Sequence, residues 1–175
     1  LVVPGIYFQC TFHQIQSINV TFLNCMFINS EIYAEDRQWS VIKFINVTWT
    51  QNCTLFSVIN NVAVNIKYYR LVYFYCCTFK HLLGTSKEMN AIINIKKVEK
   101  VLLVNTEVAF TTSPILFISS GFELSINHMK MIEISSMVYT NEKIPFGSMI
   151  FQAIRKVVIK SLFIRNLKYS PIVFK

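Results

Sequence analysis

The segment "INVTFLNCMF" occupies residues 18–27, and the segment "INVTWTQNCTLF" occupies residues 45–56. Both begin with Ile-Asn-Val-Thr, 27 residues apart, and both run on through Asn-Cys to a Phe. Self-similarity at a spacing of 20–50 residues is the sequence signature of a repeat architecture. The length of the repeat therefore decides the fold prediction, and individual elements follow from it.

Apolar residues at positions i, i+3 and i+5 form a triplet that recurs along almost the whole chain. The copies are Ile15–Ile18–Val20, Ile42–Ile45–Val47, Tyr68–Leu71–Tyr73, Val98–Val101–Leu103, Ile126–Met129–Met131 and Ile154–Val157–Ile159. The i+3, i+5 half is typical of a strand with alternate residues pointing inward, and the two residues before it allow a sharp corner. The pattern predicts an all-β parallel β-helix solenoid of about six coils, with a period near 28 residues and two open ends. Its coils start near residues 15, 42, 68, 98, 126 and 154.

Short Asn-Cys or Cys-Cys segments followed by Phe accompany the triplets: Asn24-Cys25-Met26-Phe27, Asn52-Cys53-Thr54-Leu55-Phe56 and Cys76-Cys77-Thr78-Phe79. Together with the six triplets, they resemble the right-handed parallel β-helix family, the pectin-lyase-like fold. More narrowly, the pattern is similar to the repetitive β-helix regions of large surface proteins in ciliates and other protists. The resemblance implies right-handed coils. It implies no particular partner.

Composition agrees with a strand-rich protein. The chain has 175 residues, of which 53% are hydrophobic, with 15 Phe but only 4 Gly, and its mean hydropathy is +0.44. The most apolar window, residues 101–122, contains Asn105, Glu107 and Pro114, so no transmembrane span is expected. We expect one β-helix segment over residues 1–175. The chain starts at Leu1 and ends on the apolar "PIVFK", so we also expect a fragment of a longer chain. Further coils or subunits would then stack on its ends.

Three N-x-S/T sequons begin at Asn19, Asn46 and Asn52. Asn19 lies between Ile18 and Val20, which the triplet assigns inward, so alternation sends Asn19 outward. The same reasoning applies to Asn46, and the two asparagines are expected to stack on one face, one coil apart. The pattern predicts N-linked glycans, the secretory route and an extracellular or cell-surface location. The alternative is that both are unmodified solvent-facing residues, or rungs of an asparagine ladder.

The cysteines recur with the repeat, because Cys25, Cys53 and one of the vicinal pair Cys76 and Cys77 occupy equivalent positions. Stacked strands bring adjacent Cα atoms to ~4.8 Å, within disulfide range. One interpretation is a cross-rung disulfide such as Cys25–Cys53, which suits an extracellular chain. The other is a column of free thiols in the core. No C-x-x-C pair and no histidine spacing typical of metal ligands are present, so no metal is expected.

Positive charge also follows the repeat. The chain carries a net charge of +8. In the last four coils, the position two after each triplet start is Arg70, Lys100, His128 or Lys156. This predicts a basic column that faces an anionic surface, an anionic polysaccharide or only solvent. Nucleic acid is not expected, because the chain has only four Arg and no nucleic-acid-binding module.

Catalytic patterns are not found. The chain has one Asp and eight dispersed Glu, whereas glycoside hydrolysis needs two carboxylates that flank the bond and Ca²⁺ needs several oxygen ligands. Glu31, Glu35 and Asp36 form the one acidic cluster, which we interpret as a solvated loop. We predict no enzyme activity and no cofactor.

Three functional hypotheses follow. The first is a structural glycoprotein segment outside the cell, acting as a stalk, coat or filament unit. The second is a carbohydrate-binding or carbohydrate-cleaving β-helix module, whose candidate groove aromatics are Trp39, Trp49, Tyr68, Tyr69 and Tyr75. The third is an intracellular β-solenoid scaffold, which requires bare Asn19 and Asn46 and reduced cysteines.

Overall fold

A computed structural model describes residues 5–8, 11–14, 19–28, 30–35, 40–50, 63–82, 91–111, 115–134, 148–167 and 172–174. Within these residues the fold is all-β and contains no helix. Every strand pair among them is parallel, and the strands form one curled sixteen-stranded sheet. The predicted all-β class with parallel pairing is therefore confirmed.

The strands are short at the beginning of the chain and longer towards its end. Their bounds are β1 Gly5–Phe8, β2 Thr11–Gln14, β3 Val20–Leu23, β4 Cys25–Ile28, β5 Glu31–Glu35, β6 Val41–Ile45, β7 Thr48–Thr50, β8 Val64–Lys67, β9 Leu71–Tyr75, β10 Thr78–Lys80, β11 Ile93–Lys96, β12 Lys100–Ala109, β13 Leu116–Ile134, β14 Met149–Ile159, β15 Leu162–Leu167 and β16 Ile172–Phe174.

Parallel pairing arranges the strands in three rows, each crossed once per repeat. The first row contains β3, β6, β9 and the parts of β12, β13 and β14 at residues 100–104, 123–126 and 156–159. The second row contains β1, β4, β7, β10, residues 107–109, residues 130–132 and β15. The third row contains β2, β5, β8, β11, residues 116–119, residues 149–152 and β16. Because β12, β13 and β14 bend at corners, each of them serves two or three rows.

Inward side chains from all three rows meet in a single apolar core. Alternation is clear in β9, where Val72 and Phe74 are fully buried while the residues between and after them are partly exposed. The same period of two places Ile32 and Ala34 of β5 inward. Each inward position continues as a column of apolar residues, because parallel register sets equivalent positions one above another.

Aromatic rings occupy two neighbouring core columns. In the first row, Phe22 stacks on Phe44 at 5.0 Å between ring centroids, and Phe44 stacks on Phe74 at 4.9 Å. In the second row, Trp49 is held between two phenylalanines, with its closer centroid distance, 4.5 Å, to Phe79. These distances match the ~4.8 Å separation of paired strands, so ring stacking and backbone pairing reinforce each other.

The repeat has the predicted average length, but its spacing is uneven. Strands of the first row pair Val20 with Ile42, Ile42 with Val72, Val72 with Val101, Val101 with Leu124 and Leu124 with Val157. The offsets are 22, 30, 29, 23 and 33 residues, about 27 on average. The equal spacing expected from the triplets is wrong, because the connections between rows differ in length from coil to coil.

The corners between rows are made without glycine. All thirteen described non-glycine residues with positive φ lie in three columns, and no described glycine has positive φ. The first corner holds Asn24, Asn46, Cys76, Asn105 and His128; the second holds His81, Phe110, Glu133 and Asn166; the third holds Tyr68, Lys97, Ser120 and Ala153. None is β-branched, the side-chain type least compatible with this left-handed conformation.

A backbone hydrogen bond to the next coil fixes each turn of the first corner. The N–H groups of Asn24, Asn46 and Cys76 each donate over 3.0 Å, to carbonyls of Ile45, Tyr75 and Val104 respectively. One residue in the left-handed region therefore redirects the chain while its N–H stays in the ladder. This explains why a chain with only 4 Gly can turn three times per coil.

Truncation of a stacked ring tests the aromatic columns. Phe44→Ala removes a fully buried ring that contacts rings on both sides, so we expect a loss of about 3–5 kcal/mol in the free energy of unfolding. Phe163→Ala is the matched control, because Phe163 is 55% exposed, and it should cost under about 1 kcal/mol. Chemical denaturation measures both values. Equal losses in the two variants would contradict a core organised by ring stacking.

The corner conformation is tested at Asn105, which has φ of 51° and belongs to no sequon. Asn105→Val should lower the free energy of unfolding by about 1–2 kcal/mol, because a β-branched residue is strained in the left-handed region. Asn105→Gly should stay within about 0.5 kcal/mol of the parent, because glycine adopts this conformation without steric cost. Thermal and chemical denaturation distinguish the two variants. A valine variant as stable as the glycine variant would rule out the proposed strain.

Candidate functional site

The most strongly charged part of the described surface is the corner between the third and first rows, which we call the basic corner. It comprises residues 67–71, 96–100, 119–123 and 152–156, which are superposed by the pairing of the flanking strands. Seven of these residues are Lys or Arg and two are Glu, a net charge of +5 out of +8 for the chain. The corner therefore concentrates most of the net charge on one edge of the sheet.

The four predicted members of the basic column do not form one column. Lys100 and Lys156 belong to the same column, but Glu123 pairs between them. The Glu123 carboxylate accepts both ion pairs, at 3.4 Å from Lys100 Nζ and 3.6 Å from Lys156 Nζ. Arg70 lies one position earlier on the same corner, whereas His128 lies on the first corner. The prediction of a single column is wrong because the registers are uneven, yet three of its four residues mark the basic corner.

Cations and aromatic rings alternate on and beside this corner. Lys97 Nζ lies 5.1 Å from the Tyr68 ring centroid, and the Arg155 guanidinium carbon lies 4.9 Å from that of Phe122. An open groove of about 500 Å³ lies between these pairs and is lined by Lys97, Val98, Glu99, Ser120, Gly121 and Phe122. The groove offers both charge and an exposed ring to a ligand. The sequence signal for it is the pair of basic runs at residues 96–100 and 155–156, which the triplet reasoning did not use.

The sequon residues Asn19 and Asn46 are both exposed, as alternation predicts, while Asn52 lies outside the described residues. The Asn19 Oδ1 accepts the Val41 N–H over 2.9 Å. Asn46 lies at the first corner, and its Nδ2 donates to Asn24 Oδ1 over 3.2 Å. In both cases the side chain lies at the surface with its orientation set by one hydrogen bond.

The expected stacking of Asn19 on Asn46 is wrong. Val20 pairs with Ile42, so Asn19 stands beside Val41, and the rung above Asn24 is Asn46. The register is 22 residues at this step, five fewer than the spacing of the two Asn-Val-Thr segments. Asn46 is thus part of an asparagine ladder with Asn24, and Asn19 belongs to a different column at the other end of the strand.

The described cysteines lie in two adjacent columns. Cys25 and Cys77 are buried in the same inward column of the second row, separated by Val47, and Cys76 is a half-buried residue of the first corner. Cys76 and Cys77 are free thiols. The Cys77 thiol donates to the Phe44 carbonyl over 3.3 Å, and burial raises its pKa to about 12. Cys53 lies outside the described residues, so the pairing Cys25–Cys53 stays a prediction.

Other predicted site residues are dispersed. Glu31 and Glu35 belong to β5, so the interpretation of a solvated loop is wrong for them, because inward Ile32 and Ala34 draw this segment into the sheet. Asp36 lies outside the described residues. No three His, Cys, Asp or Glu side chains of the described ranges come together as a metal site would require.

The aromatic residues proposed for a sugar-binding groove do not share one surface. Trp49 and Tyr69 are buried in the core, and Tyr75 is 37% exposed on the outside of the first row. Tyr68 is half-buried at the basic corner, and Trp39 lies outside the described residues. A continuous groove of these residues is therefore not formed by the described part of the chain.

Comparisons with known proteins leave the fold description to stand by itself: no family model, no curated protein and no solved structure matches this chain. The resemblance to pectin-lyase-like repeats and to protist surface proteins accordingly remains a prediction. Across the described ranges, no helix has the length and apolar character needed to cross a membrane.

Thiol reactivity distinguishes the vicinal cysteines. In the native protein near neutral pH, a small thiol-alkylating reagent should modify Cys76 much faster than Cys77, because the thiolate is the reactive form. A pKa of about 12 instead of 9.0 lowers the thiolate fraction of Cys77 roughly a thousandfold, and burial adds a barrier to access. Cys76→Ser should remove one fast-labelling site, whereas Cys77→Ser should remove none. Mass spectrometry of timed samples gives the rates, and equal rates would contradict the placement of Cys77.

Proposed function

We propose that this chain closes into a parallel β-helix of about six coils and serves as a non-catalytic structural segment of a glycosylated protein outside the cell, as part of a stalk, coat or filament. The observation that carries the proposal is the continuity of the three rows of parallel strands around one apolar core. Each coil of such a solenoid rests only on its neighbours, which is the property expected of a rod built by repetition.

Stiffness would come from the alignment of two kinds of contact along the same axis. Backbone hydrogen bonds link every coil to the next, and the aromatic columns through Phe44 and Trp49 run parallel to them. Six coils at ~4.8 Å each give a rod of about 29 Å. A length this short fits a building unit in a longer stack more than a complete stalk.

The last described rung supports stacking with further coils or subunits. Its inward residues Ile159, Leu162 and Ile172 are only partly buried, although their counterparts one coil earlier are fully buried. Phe174 is 64% exposed at the same end. An edge of unpaired strands with exposed apolar side chains is a surface on which further strands add.

The location outside the cell is supported by Asn19 and Asn46. Both sequon residues are exposed, and they lie on neighbouring strands, β3 and β6, at the beginning of the stack. A glycan on each would project from the surface without displacing a core residue. Sugars placed there would also leave β9 and the later strands of the first row uncovered.

Glycan mapping tests this proposal. The chain is expressed through a eukaryotic secretory pathway, and its mass is measured with and without an enzyme that removes Asn-linked glycans. We expect sugar on Asn19, Asn46 or both, and Asn19→Gln and Asn46→Gln should each remove the glycan at its own site. Asn105→Gln, an exposed asparagine outside any sequon, is the control and should leave the glycan mass unchanged.

Two outcomes would overturn parts of the proposal. Bare Asn19 and Asn46 in the protein from its natural source would remove the support for a secreted location and favour the intracellular scaffold. Particles that show no elongation in small-angle scattering, or a secondary structure with substantial helix in circular dichroism, would contradict the closed β-helix. The two measurements are independent, because coil closure does not require a glycan.

A further inference from the structure

The outer side of the first row is unusually apolar for a sheet face that points away from the core. Its outward residues on β9 are Tyr73 and Tyr75, and on β12 they are Leu102 and Val104. Leu23, Ile45 and Val158 continue the same two columns. We call these seven residues the tyrosine face. None of them is buried, and Tyr75 is 37% exposed.

Apolar residues on both sides of a strand have a physical meaning. Sheets with one side in water alternate between apolar and polar residues, whereas near-continuous apolar strands are typical of sheets covered on both sides. The strand sequence "LVYFY" of β9 belongs to the second kind, although only its Val72 and Phe74 side contacts the core. A contiguous apolar patch on the surface marks a docking site.

The border of this patch identifies what it docks against. Each first-row strand from β9 onwards begins at the basic corner, so the net charge of +5 lines one long edge of the tyrosine face. Lys43 adds a positive charge within it, beside Tyr73 in the register. Apolar side chains next to clustered Lys and Arg, with tyrosines at the boundary, are the combination that binds anionic lipid surfaces.

We propose that the tyrosine face, bordered by the basic corner, docks on the surface of an anionic lipid bilayer. Tyr73, Tyr75 and Leu102 would enter the headgroup region, while Arg70, Lys97 and Arg155 would contact lipid phosphate and carboxylate groups. The inference goes beyond the proposed structural function and depends on neither glycan. It requires a flat face, which parallel strands superposed at ~4.8 Å provide.

Two other occupants fit less well. A second copy of this chain would bring its own net charge of +8, and its basic corner would oppose the approach of the first. An acidic polysaccharide would match the charge but not the apolar patch, whose aliphatic residues offer a sugar no hydrogen-bond donors or acceptors. The lipid surface alone satisfies both the apolar area and its charged border.

Vesicle co-sedimentation tests the proposal with the full chain and two kinds of vesicle, phosphatidylcholine alone and phosphatidylcholine mixed with phosphatidylserine. We expect binding to the mixed vesicles, weaker binding to phosphatidylcholine alone, and a loss of affinity as salt is raised. The triple variant Arg70→Gln/Lys97→Gln/Arg155→Gln should weaken binding by about tenfold or more. The double variant Tyr73→Ser/Tyr75→Ser should weaken it at all salt concentrations.

A matched charge control separates this surface from general attraction. The variant Lys80→Gln/Lys130→Gln/Arg165→Gln removes the same charge from the outer side of the second row. It should reduce affinity by less than about twofold, because these residues face away from the bilayer. All variants are first compared by circular dichroism and thermal unfolding. The changed residues are outside the core, so folded proteins are expected.

Each alternative result has a definite meaning. No binding to mixed vesicles by the folded parent chain would overturn the proposal, and so would equal losses in the two triple variants. Concentration-dependent dimers in sedimentation velocity that Tyr73→Ser/Tyr75→Ser abolishes, without vesicle binding, would assign the face to a second copy. Retention on a sulfated polysaccharide without vesicle binding would assign the basic corner to a polyanion. None of these results alters the glycan map, so the structural function is tested separately.

Discussion

Parallel hydrogen bonding places each residue directly beside its counterpart in the next coil, and the rest of this structure follows from that superposition. A residue type that packs well against itself is favoured at every position. Phe on Phe and Trp on Phe satisfy this condition inside, because flat rings stack at the distance that the backbone sets. Asn46 on Asn24 satisfies it at a corner, because an amide donates to the amide below. Charged residues do not, and Glu123 is therefore placed between Lys100 and Lys156.

The corners obey the same constraint in the backbone. A turn that used a different conformation in each coil would leave unpaired N–H groups between the rows. Here each corner column repeats one left-handed residue per coil, with φ between 51° and 62°. Asparagine tolerates that conformation better than most residues, and it fills four of the thirteen positions. The remaining side chains are held there by the ladder on either side.

Sequence reasoning finds those features of the fold that depend on alternation and loses those that depend on register. Alternation around Val20 and Val47 correctly indicates strands, and the average period is close to 28 residues. Register fails because an inward pattern stays inward when two coils slide past each other by an even number of residues, while a corner absorbs the difference. The pairing of Ile42 with Val72 instead of Tyr68 is one such slide.

The same distinction explains the result for the candidate sites. Exposure of Asn19 and Asn46 follows from their immediate neighbours and could be predicted. Their separation into different columns, and the assembly of the basic corner from four distant segments, depend on long-range register, which local spacing does not contain. The basic runs at residues 96–100 and 155–156 are visible in the sequence, but only strand pairing shows that they adjoin Arg70 and Phe122.

Uneven coils joined by conserved geometry have an evolutionary consequence. Since the inner columns match at every interface whatever the length of the connection, a whole coil can be duplicated or deleted by recombination without creating a mismatched junction. Point insertions are also absorbed, as long as they fall between a corner residue and the next strand. A gene of this kind lengthens or shortens in steps of one coil, about 4.8 Å of rod each. The height of the resulting particle is then a trait on which selection can act independently of the surface it displays.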